Sequence, residues 1–370
     1  MKDFELQLTF KNVGQGDCIF IEWFNSKGDQ EIGIIDCNFS SNHDFEAITE
    51  HISRYRTISF LVLSHPHTDH FSGLKRILDH CVEHDIYIRQ IMHTALYHES
   101  NLEVQIVRKV FESFVQEDYT HNSPRKELFE LFDRFVLLAK DKERPTAIIP
   151  ITNSGALDLD APGVTFKFLS PDYSFEYPEY LSTLELAKEI NPALNPSNNP
   201  NANILSSVLY IKSVNWHLLL TSDARKKSLK RVQQRYPEVF NSDLGPLILA
   251  QVPHHGSGNL QETHYPDFWD SLLDVQLSSA FISSGRSIHA HPRREVVEFY
   301  DQQTIAVHAT NNVYGYQEFY SKSKAKREVD IMSALGWIAG EQKKLGRDKY
   351  ECGEQQIKIQ ADGTYSLKTS

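Results

Sequence analysis

The stretch LVLSHPHTDHFSGL, residues 61–74, places three histidines and one aspartate within six positions, directly after an apolar run. A short continuous apolar run of this kind is typical of a strand that is buried on both faces. Residues two apart on an extended segment point to the same side, so His65 and His67 can bind one ion. The sharp turn that follows lets Asp69 and His70 face a neighbouring ion. Because zinc and manganese accept nitrogen-rich ligand sets, we predict a metal site at the end of this strand.

An apolar run followed by polar residues recurs at three other places, where further metal ligands are expected. The segment LLLTSDA contains Asp223, ILAQVPHHGSG contains His254 and His255, and SSGRSIHAHPRREV contains His289 and His291. Each is a weak indication alone, because an aspartate after a strand is usually a turn or helix-cap residue. Together they are stronger, because ligand sites in layered α/β proteins collect at the C-terminal ends of strands.

The composition limits the kind of protein this can be. The chain has 370 residues, 38 basic and 49 acidic, and a formal net charge of -11. This balance argues against a protein that coats nucleic acid by strong non-specific binding, although it does not exclude a local basic groove. The start MKDFELQLTF lacks the features of a signal peptide, and no apolar run reaches the ~18 residues of a membrane helix. The cysteines are scattered, which indicates neither disulfides nor a zinc knuckle. We predict a cytoplasmic protein without membrane contact.

Strands alternate with helices along the chain, which predicts an α/β fold with layers of sheet covered by helices. Strands are predicted at 4–11, 18–23, 31–37, 57–64, 146–151 and 163–170, a hairpin at 206–224, two strands within 246–258 and 280–285, and a closing hairpin at 355–368. Helices are predicted at 44–55, about 72–81, 101–117, 125–140 and roughly 317–346. The segment NPALNPSNNPNAN, residues 191–203, is predicted to be a polar loop.

The segment HPHTDH is the HxHxDH signature of the metallo-β-lactamase superfamily, and the chain resembles one branch of it. That branch is the nuclease domain of ComEC-type DNA-uptake proteins and its standalone relatives. The resemblance runs in order from residue 12 to about 300, through NVGQGDCIFIE, IIDCN, SHPHTDHFSGL, NILSSVLYI, LLLTSDA, QVPHHGSG, ISSG and HAHPRREVVEFY. It implies a single domain, 1–370, with a four-layer αββα fold. Helical insertions at about 82–142 and 315–350 lie outside the resemblance.

The resemblance also implies two divalent metal ions, zinc or manganese. The first ion would be bound by His65, His67 and a histidine of PHHGS. The second ion would be bound by Asp69, His70 and His291. Asp223 would bridge both ions. His255 is favoured over His254 as the PHHGS ligand, which leaves His254 to contact the phosphate of the substrate.

Other residues are expected around this centre rather than on the ions. Asp36 would orient a ligand histidine. Gln15 and Asp17 belong to the loop that the family places beside the metals, so they are candidates for the wall of the site. Asn203 could orient a group of the site, although an ordinary turn asparagine is the default. Substrate or supporting roles are open for His254, His289, Arg293 and Arg294, and catalytic roles are expected of Asp69, Asp223 and His254.

The chain departs from the family pattern at few positions. Asn12 stands where the family often has aspartate, Ser222 replaces the usual glycine before Asp223, and two arginines, Arg293 and Arg294, replace the second His-Pro pair. None of these changes removes an expected ligand. The arginines could contact phosphate, because a guanidinium matches phosphate geometry, or they could simply be solvated at a helix start.

These features predict a metal-dependent phosphodiesterase, foremost a nuclease. Two ions ~3.5 to 4 Å apart would lower the pKa of a shared water and hold it as hydroxide for attack on phosphorus. The alternative is a hydrolase of a small phosphodiester or other ester, which the acidic charge favours. A non-catalytic regulatory subunit would be indicated by a lost ligand, and none is lost. A role in nucleic-acid defence against phage, with a protein partner on the inserted helices, is a further hypothesis.

Overall fold

The computed structural model of the chain describes most of the predicted elements. It describes residues 4–39, 45–94, 124–153, 155–190, 202–240, 245–257, 268–269, 272, 277–285, 291–303, 305–310 and 354–369. The predicted helices at 101–117 and 317–346, the insertion at 315–350 and most of the polar loop at 191–203 lie outside these residues. His289 lies outside them as well.

The first sheet has eight strands in the order β16-β15-β1-β2-β3-β5-β7-β8. Their bounds are β1 Leu6–Phe10, β2 Ile19–Phe24, β3 Gln30–Ile35, β5 Phe60–Leu63, β7 Gln90–His93, β8 Ala147–Pro150, β15 Gln355–Ile359 and β16 Tyr365–Thr369. Strands β3, β5, β7 and β8 run parallel to one another, whereas β1, β2, β15 and β16 form antiparallel pairs. The predicted closing hairpin, β15 with β16, is confirmed.

The strand predicted over 57–64 is divided in two. Strand β4, Thr57–Ile58, pairs with β6, Tyr87–Ile88, in a small separate sheet, and β5 begins after Ser59. The backbone N–H of Ser59 donates to the carbonyl of Ile32, 2.8 Å away. All four residues of β5 are buried, as the continuous apolar run predicts.

The second sheet has six strands in the order β14-β13-β12-β11-β10-β9. Their bounds are β9 Thr165–Ser170, β10 Val208–Lys212, β11 His217–Leu220, β12 Leu247–Gln251, β13 Ser279–Ile282 and β14 Ala306–Ala309. Strands β9, β10 and β11 are antiparallel neighbours, which confirms the predicted hairpin over 206–224. Strands β11 to β14 are parallel, so their C-terminal ends lie at one edge.

Seven α-helices are described. They are α1 Phe45–Ile52, α2 Thr68–Phe71, α3 Leu74–Glu83, α4 Pro124–Ala139, α5 Glu176–Ile190, α6 Lys226–Arg235 and α7 Arg294–Gln302. Short 3-10 helices occur at Ala202–Leu205, Pro237–Phe240 and Pro253–Gly256. Within the part of the chain that the structure describes, no helix is long and apolar enough to cross a membrane.

The two sheets pack face to face through large aromatic side chains. Phe10 of the first sheet stacks on Phe281 of the second with ring centroids 4.7 Å apart, and Trp23 contacts Phe166 at 5.4 Å. The same buried cluster includes Phe60. Because each sheet buries one face against the other, the opposite faces have to be covered by helices.

Helices cover both outer faces. On the first sheet, Ile34 and Leu61 join one apolar cluster with Ile48 of α1, Leu78 of α3 and Phe135 of α4. On the second sheet, Leu219 and Ala250 join another cluster with Leu229 of α6 and with Val296 and Tyr300 of α7. The layer order is therefore helix, sheet, sheet, helix, which confirms the predicted α/β architecture.

The expectation of a helical insertion over about 82–142 holds only in part. Helix α4 is present as predicted, but residues 90–93 form β7, which lies between β5 and β8 inside the first sheet. The run QIMH has four residues, too few for its period to distinguish a strand from another apolar segment. This part of the stretch belongs to the central sheet, and 95–123 lie outside the described residues.

Candidate metal centre

The predicted site residues meet where the C-terminal ends of the two sheets' parallel strands come together. His65 follows β5, Asp223 follows β11, and the PHHG turn follows β12. The hydroxyl of Ser222 donates to the hydroxyl of Ser64 at 2.8 Å, which joins the strand ends of the two sheets. Segments far apart in the chain thus reach one buried location.

One group of potential ligands contains two of the HPHTDH histidines and one carboxylate oxygen. His65 Nε2 lies 3.0 Å from His67 Nδ1 and 3.6 Å from Asp223 Oδ2. These three side chains could together hold a metal ion. His254 Nε2 lies on the same side, 3.7 Å from Asp223 Oδ2. His254 is also the more accessible PHHG histidine, with 31% of its side chain exposed.

A second group lies against the other oxygen of Asp223. His70 Nε2 and His255 Nε2 are 3.3 Å apart, and each is 3.4 Å from Asp223 Oδ1. His255 Nε2 is also 3.4 Å from Asp69 Oδ2. Asp69, His70 and His255 could hold a metal ion. Asp223 Oδ1 is buried and accepts no hydrogen bond in the described residues, so a cation between these groups would satisfy it.

The arrangement of the PHHG histidines differs from the one that the resemblance implies. His255 lies with Asp69 and His70, not with His65 and His67, and His254 lies on the side of the first group. Both residues have positive φ, 51° for His254 and 54° for His255. This kinked turn separates the two adjacent rings, whose centroids are 6.2 Å apart.

His291, the fourth expected histidine ligand, is buried next to His254. The two ring centroids are 5.5 Å apart. Among the described residues, the groups of three or more potential ligands do not include His291. In the structure His291 therefore lies beside His254 and does not belong to the ligand group of Asp69 and His70.

Three histidines are oriented from outside, by contacts to Nδ1 that direct Nε2 into the centre. His70 Nδ1 lies 2.7 Å from Asp36 Oδ2, and His255 Nδ1 donates to the carbonyl of Ser283 at 2.8 Å. His65 Nδ1 lies 3.1 Å from the hydroxyl of Ser64. A fixed Nδ1 partner sets the tautomer and ring direction of a ligand histidine.

Asp36 is the residue that links two of these contacts. Besides His70, its carboxylate accepts hydrogen bonds from the backbone N–H of Ser64, at 2.7 Å, and from the Ser64 hydroxyl. Asp36 is fully buried and has a φ of 55°, which turns the chain sharply after β3. It therefore stands where the sequence places it, behind a histidine of the HPHTDH segment.

The GQGD loop packs directly on Asp69. Gly16 has a φ of 122°, and a Cβ added to it would lie 2.1 Å from the carbonyl oxygen of Asp69. The backbone N–H of Asp17 donates to the same oxygen at 3.3 Å. The Asp17 carboxylate lies 3.8 Å from His70 Nδ1, and Gln15 Oε1 accepts from the N–H of Gly285 at 3.3 Å. Gln15 and Asp17 thus form part of the wall of the centre.

Gln251 has a positioning role that the sequence did not reveal. Its Oε1 accepts the backbone N–H groups of Thr221 and Ser222, at 3.0 and 2.9 Å, and its Nε2 donates to Asp17 Oδ2 at 2.8 Å. Gln251 therefore fixes the turn that presents Asp223 and ties this turn to the GQGD loop. The available signal was a polar residue closing the buried strand LILAQ immediately before PHHG.

The remaining predicted residues lie at the margin. Asn203 is buried in the 3-10 helix Ala202–Leu205, and its Oδ1 has no hydrogen-bond partner within the described ranges. The backbone N–H of Arg293 donates to the carbonyl of Gly256 at 2.8 Å, and Arg294 begins α7. The two arginines therefore stand at a helix start beside the PHHG turn.

Burial and opposite charges shift the pKa values of the centre strongly. Burial holds the pKa of His65 well below its ordinary value. Burial also acts on His70, but the charges of Asp223 and Asp36 outweigh it and raise the pKa well above the ordinary value. For His255 the charge of Asp223 likewise outweighs burial and raises the pKa to about 9. The buried carboxylates thus favour positive charge at this position, which a divalent ion could supply.

Comparison with known proteins gives one family match and several similar structures. Residues 12–158 match the family model of the Metallo-beta-lactamase superfamily. No curated protein sequence matches the chain. The chain is similar to unliganded yeast PDE1, with 8% identity, 84% of this chain and 98% of that chain covered, and a TM-score of 0.46. It is also similar to a diphosphatase from the PhnP family, with 9% identity, 75% of this chain and 85% of that chain covered, and a TM-score of 0.36. A third similar structure is Zn(2+)-bound PqqB from Methylobacterium extorquens, with 8% identity, 82% of this chain and 97% of that chain covered, and a TM-score of 0.40.

The family match contains the HPHTDH segment and the GQGD loop, and it supports the metallo-β-lactamase superfamily. It ends before Asp223 and the PHHG turn, and it does not single out the ComEC-type branch. Identities of 8–9% with TM-scores of 0.36–0.46 carry no information about the substrate of this chain.

Proposed function

We propose that the protein is a two-metal hydrolase of phosphodiesters that acts on nucleic acid. The observation that carries this proposal is the position of Asp223, which directs one carboxylate oxygen to each of two His/Asp groups. A single carboxylate between two ligand groups suits a pair of ions. The superfamily match supports a metallohydrolase, and the resemblance to a nuclease branch favours nucleic acid.

The residues present fit two divalent ions. The first ion would be held by His65, His67 and Asp223, with His254 alongside. The second would be held by Asp69, His70, His255 and Asp223. These nitrogen and carboxylate donors suit zinc or manganese. Two such ions, when bound, lower the pKa of water and offset charge on a phosphoryl group.

The protein's own residues would prepare this centre and place the substrate. Asp36 and Ser283 hold the rings of His70 and His255, so that Nε2 of each faces inward. Gln251 holds the turn before Asp223. His254 is partly exposed and lies at the outer side of the first group, where its Nε2 can contact a phosphate oxygen of the substrate.

The proposal is tested with a panel of phosphodiesters. The purified protein is stripped with a chelator, reloaded with manganese or zinc, and incubated at low salt with single- and double-stranded DNA, RNA and bis-p-nitrophenyl phosphate. We expect metal-dependent cleavage of at least one polymer. The matched control is Asp158→Asn, which changes an exposed aspartate and should cleave as the wild type does.

Two outcomes would count against the proposal. Hydrolysis of the small ester with all polymers intact would overturn the assignment to nucleic acid and favour a small-substrate hydrolase, which the acidic net charge also suits. If protein that retains two ions hydrolyses no phosphodiester, the assignment as an enzyme is overturned and a regulatory subunit is favoured.

The Asp36→Asn variant is expected to bind metal roughly 10- to 100-fold more weakly than the wild type. The amide nitrogen that replaces one oxygen would face either the Ser64 N–H or His70 Nδ1, and both of these now contact the carboxylate. The measurement is competition for zinc against a calibrated chelator, with Asp158→Asn as the control. Wild-type affinity in Asp36→Asn would show that Asp36 does not orient the ligand histidine.

Three predictions of the sequence stay predictions. They are a cytoplasmic location, a protein partner on the inserted helices and a role in nucleic-acid defence. Of the inserted helices, which would meet a partner, α4 is described, and those expected at 101–117 and 317–346 lie outside the described residues.

A further inference from the structure

We infer that the cleft along α6 binds the phosphates of a nucleic-acid strand and leads that strand to the metal centre. This basic cleft is lined by Glu179, Ile204, Arg225, Lys226, Lys227, Ser228, Lys230 and Arg231. The inference rests on the proposed function, because it takes the substrate to be a polymer of phosphodiesters.

The basic residues of this segment are concentrated far beyond the average of the chain. Positions 225–235, RKKSLKRVQQR, contain six of the 38 basic residues and no aspartate or glutamate. An even distribution of 38 in 370 would place about one basic residue in these eleven positions. In a protein with a net charge of -11, such a stretch is the electrostatic footprint expected of a phosphate-binding face.

The positions of these residues also disfavour the helix that carries them. Arg225 is the N-cap residue of α6 and makes no side-chain cap, and Lys226 and Lys227 occupy the first turn with no acidic residue. Cations are unfavourable at a helix N-terminus because the helix dipole is positive there. Lys226 and Lys230 lie four apart, a spacing at which like charges repel. A local arrangement that weakens its own helix is typical of a functional site.

The protein neutralises only part of this charge. Lys227 pairs with Glu179 at 2.6 Å, and Arg231 pairs with Glu176 and, at 3.2 Å, with Glu179. Within the ranges that the structure describes, Arg225 and Lys230 make no ion pair. The basic cleft itself contains five cations and the single carboxylate of Glu179, so it keeps a clear excess of positive charge.

The basic cleft is a concave surface whose lining includes residues close in the chain to the segments that present the centre. Its volume is ≈ 330 Å³, and its first cation, Arg225, comes two residues after Asp223. On its other side Ile204 belongs to the segment whose Ser207 N–H donates to the Ser64 carbonyl, next to His65. From Arg225 to Arg235 the helix rises about 15 Å, the length of roughly four base steps of a duplex.

The test is binding of a short fluorescein-labelled oligonucleotide, single-stranded and duplex, measured by fluorescence anisotropy over a range of salt concentrations. The metal-free full-length protein is used, so that no cleavage occurs. For Lys226→Ala/Lys230→Ala we expect affinity to fall about 3- to 30-fold. The slope of log affinity against log salt should fall by about 1.4 for the single strand or 1.8 for the duplex, because two phosphate contacts are lost.

The matched control is Lys142→Ala/Lys368→Ala, which removes two charges from exposed positions outside α6 and outside the lining of the basic cleft, and it should keep the wild-type affinity and slope. Lys230→Gln is the second variant. It changes one exposed side chain and should leave the fold intact. Its salt slope should change by about half as much as that of the double variant.

The outcomes separate this inference from the proposed function. Wild-type affinity and salt slope in the folded α6 variants would overturn the inference that the basic cleft binds a strand, even if the protein hydrolyses phosphodiesters. Displacement of the oligonucleotide by a mononucleotide at equal phosphate concentration would also overturn it, because a strand should bind through several phosphates at once. If the α6 variants lose binding but the wild-type protein hydrolyses no phosphodiester, strand binding by the basic cleft is supported and the proposed function is wrong.

Discussion

The Asp223→Asn variant is expected to lose at least about 1,000-fold in turnover of a phosphodiester and to retain fewer than two metal ions. The physical reason is that each carboxylate oxygen serves a different group of ligands. Oδ1 lies 3.4 Å from His70 Nε2 and from His255 Nε2, and Oδ2 lies 3.6 Å from His65 Nε2. Asparagine keeps the shape but removes the negative charge and replaces one oxygen with a donor, which cannot bind a cation.

The measurements for Asp223→Asn are the rate of hydrolysis of bis-p-nitrophenyl phosphate and the metal content by elemental analysis. Asp158→Asn is the matched control, because it makes the same chemical change at an exposed position. An unfolding curve close to that of the metal-free wild type would show that the fold survives. Two ions and more than a tenth of wild-type turnover in Asp223→Asn would refute the bridging role.

The parts of the fold that the sequence predicts correctly are those that local pattern determines. The apolar run before HPHTDH became β5, and the hairpins β10–β11 and β15–β16 form where turn residues separate strand patterns. The convergence of the ligand segments was also predictable, since it depends only on polar residues after parallel strands. Strand β7 was missed because four residues carry too little periodicity.

The details of the centre depend on geometry that residue spacing does not encode. The placement of His255 beside His70 follows from two consecutive residues with positive φ, a conformation that spacing alone does not predict for histidine. The role of Gln251 arises from contacts with residues 30 and 234 positions away. Ser222 is another example, because its φ of 47° is a conformation that favours the glycine of the family pattern.

The Gly16→Ala variant is expected to lose roughly 100-fold in turnover, because a displacement of a catalytic group by about 1 Å can cost this much. The added Cβ would lie 2.1 Å from the carbonyl oxygen of Asp69 and 2.8 Å from Cβ of Asn38. A backbone oxygen cannot rotate away, so either the GQGD loop or Asp69 must move. Movement of Asp69 would separate its carboxylate from His255 and weaken the second group of ligands.

Gly28→Ala is the matched control for Gly16→Ala. Gly28 also has positive φ, 88°, but a Cβ there would have no heavy atom within 4 Å. Both variants therefore place alanine at positive φ, which is unfavourable for a residue with a Cβ, and only Gly16→Ala adds the contact with Asp69. We expect Gly28→Ala to keep both ions and wild-type turnover, as measured by elemental analysis and by hydrolysis of bis-p-nitrophenyl phosphate. Equal loss of turnover in the two variants would trace the effect to backbone strain, whereas loss confined to Gly16→Ala would assign it to the position of Asp69.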